Sequence, residues 1–225
     1  GYTDLALGLA LLFGFTLPEN FNHPYMADSV TDFWRRWHMS LSSWFRDYVY
    51  IPLGGSRCSK GQLVWNLFVV WSLTGLWHGA NWTFVCWGLW FFVLLSFEKL
   101  VWGKTLARLP GIVRHAYALL AVLFGWIFFR SPSLPYAFSF LRALFVPGTG
   151  APDALSWLTL CIRQYGVQLA LCLLLSTNLG TSVWAALGKT KAGRAGRLLF
   201  LLVVLGLSVL SMAGSGMQAF IYAQF

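Results

Sequence analysis

One histidine lies near the centre of a long stretch of the chain that carries no charge. Residues 61–97 contain no Asp, Glu, Lys or Arg, and His78 lies within the string Leu-Trp-His-Gly-Ala-Asn-Trp at residues 76–82. Ionisable side chains in apolar, membrane-length segments are costly and are functional candidates by default. Desolvation favours the neutral imidazole, which can accept a proton from a hydroxyl or a thiol as a general base. A histidine that only packs at a helix break is the alternative, and the residues alone leave both interpretations open.

A second histidine, His38, lies in a block rich in tryptophan and arginine, Phe-Trp-Arg-Arg-Trp-His-Met-Ser-Leu-Ser at residues 33–42. Guanidinium groups suit the phosphates of a donor such as coenzyme A or phosphopantetheine. Trp and Arg also anchor helices at a membrane interface, and the residues alone favour this second interpretation. The sequence has no Gly-x-Ser-x-Gly, Walker-type or His-Glu-x-x-His motif, so serine hydrolase, nucleotide hydrolase and zinc protease chemistry has no support.

The composition is that of a membrane protein. The chain is 58% hydrophobic and 10% charged, whereas about a quarter of the residues in soluble proteins are charged. Apolar runs lie at roughly 62–77, 80–97, 112–129, 164–180 and 198–213, and several reach or approach the roughly 17–25 residues that span a bilayer. We therefore predict an all-α polytopic membrane protein with about five transmembrane helices and further re-entrant or interfacial helices.

Charge and cysteine content exclude two other classes of site. The net charge of +9 comes from short basic clusters between apolar runs, which does not fit a nucleic-acid-binding face. The four cysteines show no ligand-like spacing, so we expect neither a disulfide framework nor a metal site.

The residues around His38 predict one amphipathic helix over 32–50. Large apolar side chains recur there at three- and four-residue steps, and turn-forming residues at 52–56 end the helix. Such a helix lies in the membrane interface or dips into the protein below the headgroups. Its candidate N-cap residues are Asp28, Ser29 and Thr31.

Charge in the loops predicts the orientation in the membrane. Loops 98–114 and 181–197 are basic, which places them in the cytoplasm and leaves 130–163 and the C-terminus outside. The outer loop has room for a short interfacial helix near 135–146. For the charge-free stretch two interpretations remain open: a plain hairpin with His78 at the surface, or two short helices that meet at membrane depth with His78 facing an internal cavity.

Several longer strings resemble one family. They are the block at 33–42, Trp-Phe-Arg-Asp-Tyr at 44–48, Tyr-Ile-Pro-Leu-Gly-Gly at 50–55, the histidine string at 76–82 and Trp-Gly-Leu at 87–89. Together they closely resemble the membrane-bound O-acyltransferase (MBOAT) family, in its bacterial branch of alginate and peptidoglycan O-acetyltransferases and the D-alanyl-teichoic-acid transfer protein. Gly-Tyr-Thr-Asp at 1–4 and Leu-Pro-Glu-Asn-Phe at 17–21 are also similar to that branch.

The resemblance implies a fold and a site. The family's fold is a ring of transmembrane helices around a thin core pierced by a tunnel, with His78 matching the essential histidine and His38 the second tunnel histidine. Members of the branch are longer than this chain, so residues 1–225 are expected to be the C-terminal portion of a single domain of this family. We expect an amphipathic or re-entrant region at 1–61, a helix pair at 62–97, and further transmembrane helices with a C-terminal aromatic motif at 98–225.

The C-terminal string Phe-Ile-Tyr-Ala-Gln-Phe at 220–225 resembles the aromatic C-terminal motif of the branch. By that resemblance Tyr222 would accept the acyl group and present it outside, where the loop charges also place the tail. An aromatic anchor at the membrane interface is the alternative, since Ala223 replaces an aromatic residue of the usual motif. A second departure is Phe91-Phe92, where the branch often has His-Gly.

The resemblance implies an O-acyltransferase of the bacterial inner membrane, which moves an acyl group, expected to be acetyl, from a cytoplasmic thioester such as acetyl-CoA towards an extracytoplasmic polysaccharide such as alginate. His78 would be the general base, His38 would orient the thioester or shuttle a proton, and Tyr222 would carry the acyl group to a separate periplasmic polysaccharide O-acetyltransferase.

The competing hypotheses are a transporter with a midplane histidine, for which no inverted repeat is evident, and an inactive fragment. The candidate substrate-binding residues are Arg35, Arg36, Arg46, Trp77, Asn81 and Trp82.

Overall fold

The computed structural model describes residues 2–146 and 153–214, and this part of the chain contains α-helices, short 3-10 and π turns and no strand. The predicted all-α class is confirmed. The helices are α1 (Tyr2–Leu12), α2 (Val30–Arg36), α3 (Met39–Phe45), α4 (Lys60–Trp77), α5 (Trp82–Phe97), α6 (Gly103–Leu106), α7 (Gly111–Arg130), α8 (Leu134–Phe145), α9 (Ala154–Leu175), α10 (Asn178–Leu187) and α11 (Lys191–Gly214).

Within the described residues, four helical stretches are long and apolar enough to cross a membrane, where the sequence predicts about five. These lengths and compositions confirm a multi-pass membrane protein. The helix α4 covers the first predicted apolar run but is not one of the four, because Lys60, Gln62 and Asn66 make its first turns polar. The four stretches are Trp82–Leu106, Gly111–Arg130, Leu155–Leu175 and Lys191–Ser211.

The predicted outer loop 130–163 is only partly a loop. The short helix expected near 135–146 is confirmed as α8. The second half of the prediction is wrong, because α9 begins at Ala154 and continues through Arg163. Arg163 is exposed on that helix, so its charge does not end the apolar segment.

The helix predicted over 32–50 is wrong as a continuous element, because the chain breaks at Trp37 and His38. The helix α2 ends before this break and α3 begins after it, and a π turn at Arg46–Tyr50 continues α3. Repeating large apolar residues on both sides of the break kept the helical period across it, so the local pattern did not reveal it.

The break is stabilised by hydrogen bonds to an extended segment from earlier in the chain, residues 20–22. The N–H of Asn22 donates to the carbonyl oxygen of Arg36, and the N–H of Met39 donates to the carbonyl oxygen of Asn20, each at 3.0 Å. The two segments also form one antiparallel bridge. His38 lies between these contacts in the left-handed region, at φ 47° and ψ 55°, a conformation that non-glycine residues adopt rarely and at a cost.

Two side chains fix the N-terminus of α2. Ser29, one of the predicted N-caps, accepts a hydrogen bond from the N–H of Asp32 at 3.0 Å. Glu98 is 6% exposed and accepts from the N–H of Val30 at 2.7 Å, from the N–H of Thr31 at 2.9 Å and from the Thr31 hydroxyl at 2.6 Å. A carboxylate is well placed there, since the first N–H groups of a helix lack partners within the helix. Glu98 therefore docks α2, and with it the break at His38, onto the end of α5.

An aromatic core joins α2 to α4 and α5. The Trp34 ring lies perpendicular or nearly so to three neighbours, with centroid distances of 4.7 Å to Trp71, 4.9 Å to Phe91 and 5.6 Å to Trp87. Edge-to-face pairs of this kind contribute about 0.5–1.5 kcal/mol each beyond the area they bury. Phe91, which stands where the family's branch often has histidine, is therefore a core residue here.

The helices α4 and α5 meet backbone to backbone. A Cβ atom added at Gly88 would lie 2.3 Å from the carbonyl oxygen of Trp71, and one added at Gly75 would lie 2.6 Å from the carbonyl oxygen of Phe84. Small residues permit such close approach between membrane helices. The two glycines therefore set the spacing of the pair that carries His78.

The chain divides into two compact units, residues 1–169 and 170–225. In the second, α10 packs against α11, and the guanidinium carbon of Arg197 lies 4.4 Å from the ring centroid of Trp184. The helix α10 occupies part of the predicted basic loop 181–197. Both candidate catalytic histidines belong to the first unit.

Candidate active site

His78 ends α4 and begins the turn that leads to α5. Gly79 follows with φ +142°, a backbone conformation that glycine adopts without strain. Asn81 closes the turn: its side-chain oxygen accepts from the N–H of Thr83 at 3.1 Å, and its amide nitrogen donates to the carbonyl oxygen of Pro132 at 2.9 Å. Asn81 thus caps α5 and ties the turn to the segment that follows α7.

The His78 ring packs among four aromatic rings. The centroid of its imidazole lies 4.9 Å from Trp87, 5.0 Å from Phe129, 5.0 Å from Trp77 and 6.2 Å from Phe84. Trp87 belongs to α5 and Phe129 to α7, so the half-buried ring faces neighbouring helices and does not project from a surface turn. In the described part of the chain no side chain hydrogen-bonds to it, which leaves its nitrogen lone pair available.

His38 is the N-cap residue of α3 and lies beside the same cluster. Its ring centroid is 6.2 Å from that of Trp77, with the two planes at 75°. Trp77 in turn contacts His78, so the structure brings the two predicted histidines to one aromatic side chain. The Nδ1 atom of His38 is 3.2 Å from the side-chain oxygen of Asn20.

The surroundings of both histidines favour the neutral ring. Burial, and to a smaller extent repulsion from the charge of a protonated His38, together lower the pKa of His78 to about 4. Burial also lowers the pKa of His38, against a smaller opposing effect of a backbone hydrogen bond. At neutral pH each ring is therefore unprotonated on one nitrogen and can accept a proton, which is the state that a general base requires.

The three arginines predicted to bind an anionic donor have different surroundings. Arg36 Nε lies 2.9 Å from the carboxylate of Asp32. Arg46 makes two contacts with Asp47, at 2.7 and 3.1 Å. Arg35 is exposed. Two of the three guanidinium groups are thus already compensated by a neighbouring carboxylate.

The remaining predicted residues lie at the edge of the cluster or outside the described chain. Trp77, whose ring contacts His78, is 59% exposed, and Trp82, the first residue of α5, is 70% exposed. Tyr222 lies outside the described residues.

Three contributors to the site were not singled out from the sequence. Asn20 was part of the string at 17–21, but its contact with His38 needs the fold that pairs residues far apart in the chain. Phe129 lies at the end of the apolar run 112–129, and no local signal distinguishes it from the apolar residues before it. Trp87 was quoted only as part of a motif, and the structure places it against the His78 ring.

Comparison with known proteins identifies the family of this chain. A family model described as MBOAT, membrane-bound O-acyltransferase family, matches residues 1–139. The chain is 42% identical over 176 residues to the probable alginate O-acetylase AlgI of Pseudomonas aeruginosa, an alignment that covers 78% of this chain and 34% of that protein. It is 40% identical over 147 residues to the peptidoglycan O-acetyltransferase of Helicobacter pylori, covering 64% and 28% of the two chains. It is 36% identical over 140 residues to the teichoic acid D-alanyltransferase of Bacillus subtilis, covering 57% and 35%.

These alignments span about a third of the length of the curated relatives. The match to the family model covers more than half of this chain and includes both histidines of the site. The protein therefore belongs to the membrane-bound O-acyltransferase family.

Proposed function

We propose that this protein is an O-acyltransferase of the bacterial inner membrane, which moves an acetyl group from a cytoplasmic thioester, such as acetyl-CoA, towards an extracytoplasmic polysaccharide such as alginate. The observation that carries the proposal is the pair of neutral histidines at one tryptophan, in a chain of this family. The relatives named as O-acetylases of alginate and of peptidoglycan support acetyl as the group and a hydroxyl as the acceptor.

His78 acts as the general base in this proposal. The hydroxyl oxygen of the acceptor attacks the thioester carbon while its proton moves to the imidazole, and the C–S bond then breaks to release the thiolate. The aromatic rings around His78 exclude water from the reacting thioester, which limits hydrolysis. The exposed faces of Trp77 and Trp82 provide an apolar wall for the acyl chain.

Arg35 is the strongest of the three arginines for binding the anionic part of the donor. It is exposed, whereas Arg36 and Arg46 each contact a carboxylate that would compete with a phosphate. A phosphate of coenzyme A or phosphopantetheine carries the charge and the acceptor oxygens that a free guanidinium binds well.

The loop charges support an acceptor that arrives from outside. The basic segment 98–114 follows α5, and its first residues, 98–106, are helical and continue the stretch Trp82–Leu106. Basic segments between membrane helices favour the cytoplasmic side. Because α5 has 16 residues, and a helix rises about 1.5 Å per residue, His78 lies roughly 24 Å from the Glu98 end of that helix. We therefore propose that His78 is near the outer face, where a periplasmic polysaccharide O-acetyltransferase is the partner that receives the acyl group.

Deleting the gene in its own bacterium tests this function. We expect ester-linked acetate on the cell's exopolysaccharide to fall to background, because no other step in the proposal carries acetyl across the membrane. The measurement is acetate released by mild alkali per mass of purified polymer, with the complete protein supplied in trans as the control. Unchanged acetate in the deletion strain would reject the proposal in favour of a transporter for another substrate.

Replacing Tyr222 with Phe tests the proposed acyl carrier. Without the phenolic oxygen no ester can form at this position, so we expect polymer acetylation to be lost while the protein accumulates normally. Tyr165→Phe is the matched control, since Tyr165 is an exposed tyrosine of α9. Normal acetylation by the Tyr222→Phe protein would reject the carrier role and leave the tail as an interfacial anchor.

A further inference from the structure

One side-chain oxygen gathers three groups around His38. The Oδ1 atom of Asn20 lies 3.1 Å from the backbone nitrogen of Ser40, 2.6 Å from the Ser40 hydroxyl and 3.2 Å from Nδ1 of His38. The backbone oxygen of the same asparagine accepts from the N–H of Met39 at 3.0 Å. Asn20 therefore contacts both the ring of His38 and the chain that follows it.

These contacts determine where the proton of the His38 ring lies. The backbone N–H of Ser40 can only donate, so the Asn20 atom that faces it must be the amide oxygen and not the amide nitrogen. An amide oxygen can only accept, so Nδ1 of His38 must carry a proton to bond with it. A neutral imidazole holds one proton, and Nε2 is then left with the free lone pair.

We propose that Asn20 is a positioning residue that fixes His38 as the Nδ1–H tautomer, so that Nε2 of His38 is a proton acceptor during acyl transfer. This inference rests on the proposed function and narrows it. Two roles were considered for His38: orienting the thioester and shuttling a proton. A neutral ring in this tautomer has no proton on Nε2 to donate to the thioester carbonyl. Its Nε2 can receive a proton, as a shuttle requires.

The proton balance of the reaction explains why an unprotonated Nε2 on His38 is useful. The acceptor oxygen forms a bond to the thioester carbon, the C–S electron pair leaves with sulfur, and the proton of the acceptor hydroxyl must finally reach the thiolate. His78 takes that proton first. Nε2 of His38 can then receive it and pass it to the thiolate sulfur, which restores both neutral rings.

Two substitutions at Asn20 in the complete protein separate this role from a structural one. Asn20→Leu removes the acceptor, so Nδ1–H loses its partner and the ring is free to change tautomer. We expect kcat for transfer from an acyl thioester to fall by about 100-fold, with the KM for the thioester little changed. Asn20→Asp keeps an oxygen that accepts from the same three groups, so the tautomer and most of the activity survive.

The aspartate variant also predicts a shift in the pH profile. A carboxylate beside the ring stabilises the imidazolium, so the acid limb of kcat should move up by about one pH unit. Asn22→Asp is the matched control, because it adds the same charge at an exposed position two residues away, and its acid limb should move much less. If Asn20 has a purely structural role, the acid limb of kcat in Asn20→Asp should move no further than in Asn22→Asp. That result would overturn the proposal. Wild-type kcat in Asn20→Leu overturns it as well.

A spectroscopic measurement keeps this test independent of the proposed function. Nitrogen-15 NMR of ring-labelled histidine in the complete protein distinguishes protonated from unprotonated ring nitrogens. We expect His38, assigned by its loss in His38→Gln, to show a protonated Nδ1 and an unprotonated Nε2, and Asn20→Leu to lose that preference. The opposite tautomer in the unmodified protein contradicts the inference even if acyl transfer is observed, whereas an absence of transfer with the expected tautomer contradicts only the proposed function.

Discussion

Replacing His78 with Ala is expected to abolish polymer O-acetylation. The His78 imidazole packs directly within the ring cluster formed by Trp77, Phe84, Trp87 and Phe129. His38 lies on the other side of Trp77 and receives the proton only after His78 in the proposed sequence, so it does not replace His78 as the first base. Loss of a positioned general base lowers a rate by about 100- to 10,000-fold. Ester acetate on the polymer should therefore fall to the level of the deletion strain when the variant is the only copy.

The controls for this variant separate chemistry from folding. His78→Gln keeps a polar planar side chain but no ring base, and it should be as inactive as the alanine variant. His115→Gln changes a histidine of α7 whose Nδ1 lies 3.0 Å from the carbonyl oxygen of Ala27, away from the cluster, and it should retain activity. Normal acetylation by His78→Ala at normal membrane abundance would remove His78 from the mechanism.

Gly88→Ala is expected to destabilise the protein more than any other single-methyl change on α5. The new Cβ would lie 2.3 Å from the carbonyl oxygen of Trp71, a contact that only a backbone shift can relieve. Overpacking of this kind typically costs about 1–3 kcal/mol. The shift would also move the end of α4 that carries His78, so stability and acyl transfer should fall together.

The measurement is the melting temperature of the purified complete protein in detergent, together with its acyl-transfer rate. Gly61→Ala is the matched control on α4, because nothing lies within 4 Å of a Cβ added there, and alanine is the better helix former. We expect its melting temperature to stay the same or rise slightly. Equal melting temperatures for Gly88→Ala and the unmodified protein would show that the two helices are not in close contact at Gly88.

The sequence was sufficient for the features that depend on local composition. Uninterrupted apolar runs predicted the long helices, and the polar residues before α2 included its N-cap, Ser29. The two histidines were found because each stands out from its surroundings, one in a stretch without charge and one among tryptophan and arginine. Their strings also predicted the family, which the comparison with known proteins confirmed.

The features that the sequence did not predict depend on contacts between distant segments. The break at His38 requires the extended residues 20–22 to lie beside it, and no periodic pattern encodes that pairing. Glu98 looked like the end of an apolar run, yet it docks a helix that lies 67 and 68 residues earlier in the chain. Phe129 joins the site only because α7 packs on α5. Local rules describe elements, whereas these residues are placed by the way the elements pack.

The left-handed backbone at His38 has a consequence for how this protein can change over time. A residue held there costs the fold on the order of 1–3 kcal/mol, and glycine would remove most of that cost. Selection for a more stable protein therefore favours glycine at this position, while selection for the proposed proton transfer requires the ring. At this residue a gain in stability therefore comes with a loss of activity. We expect a relative with glycine here to be more stable and to lack the proposed proton transfer.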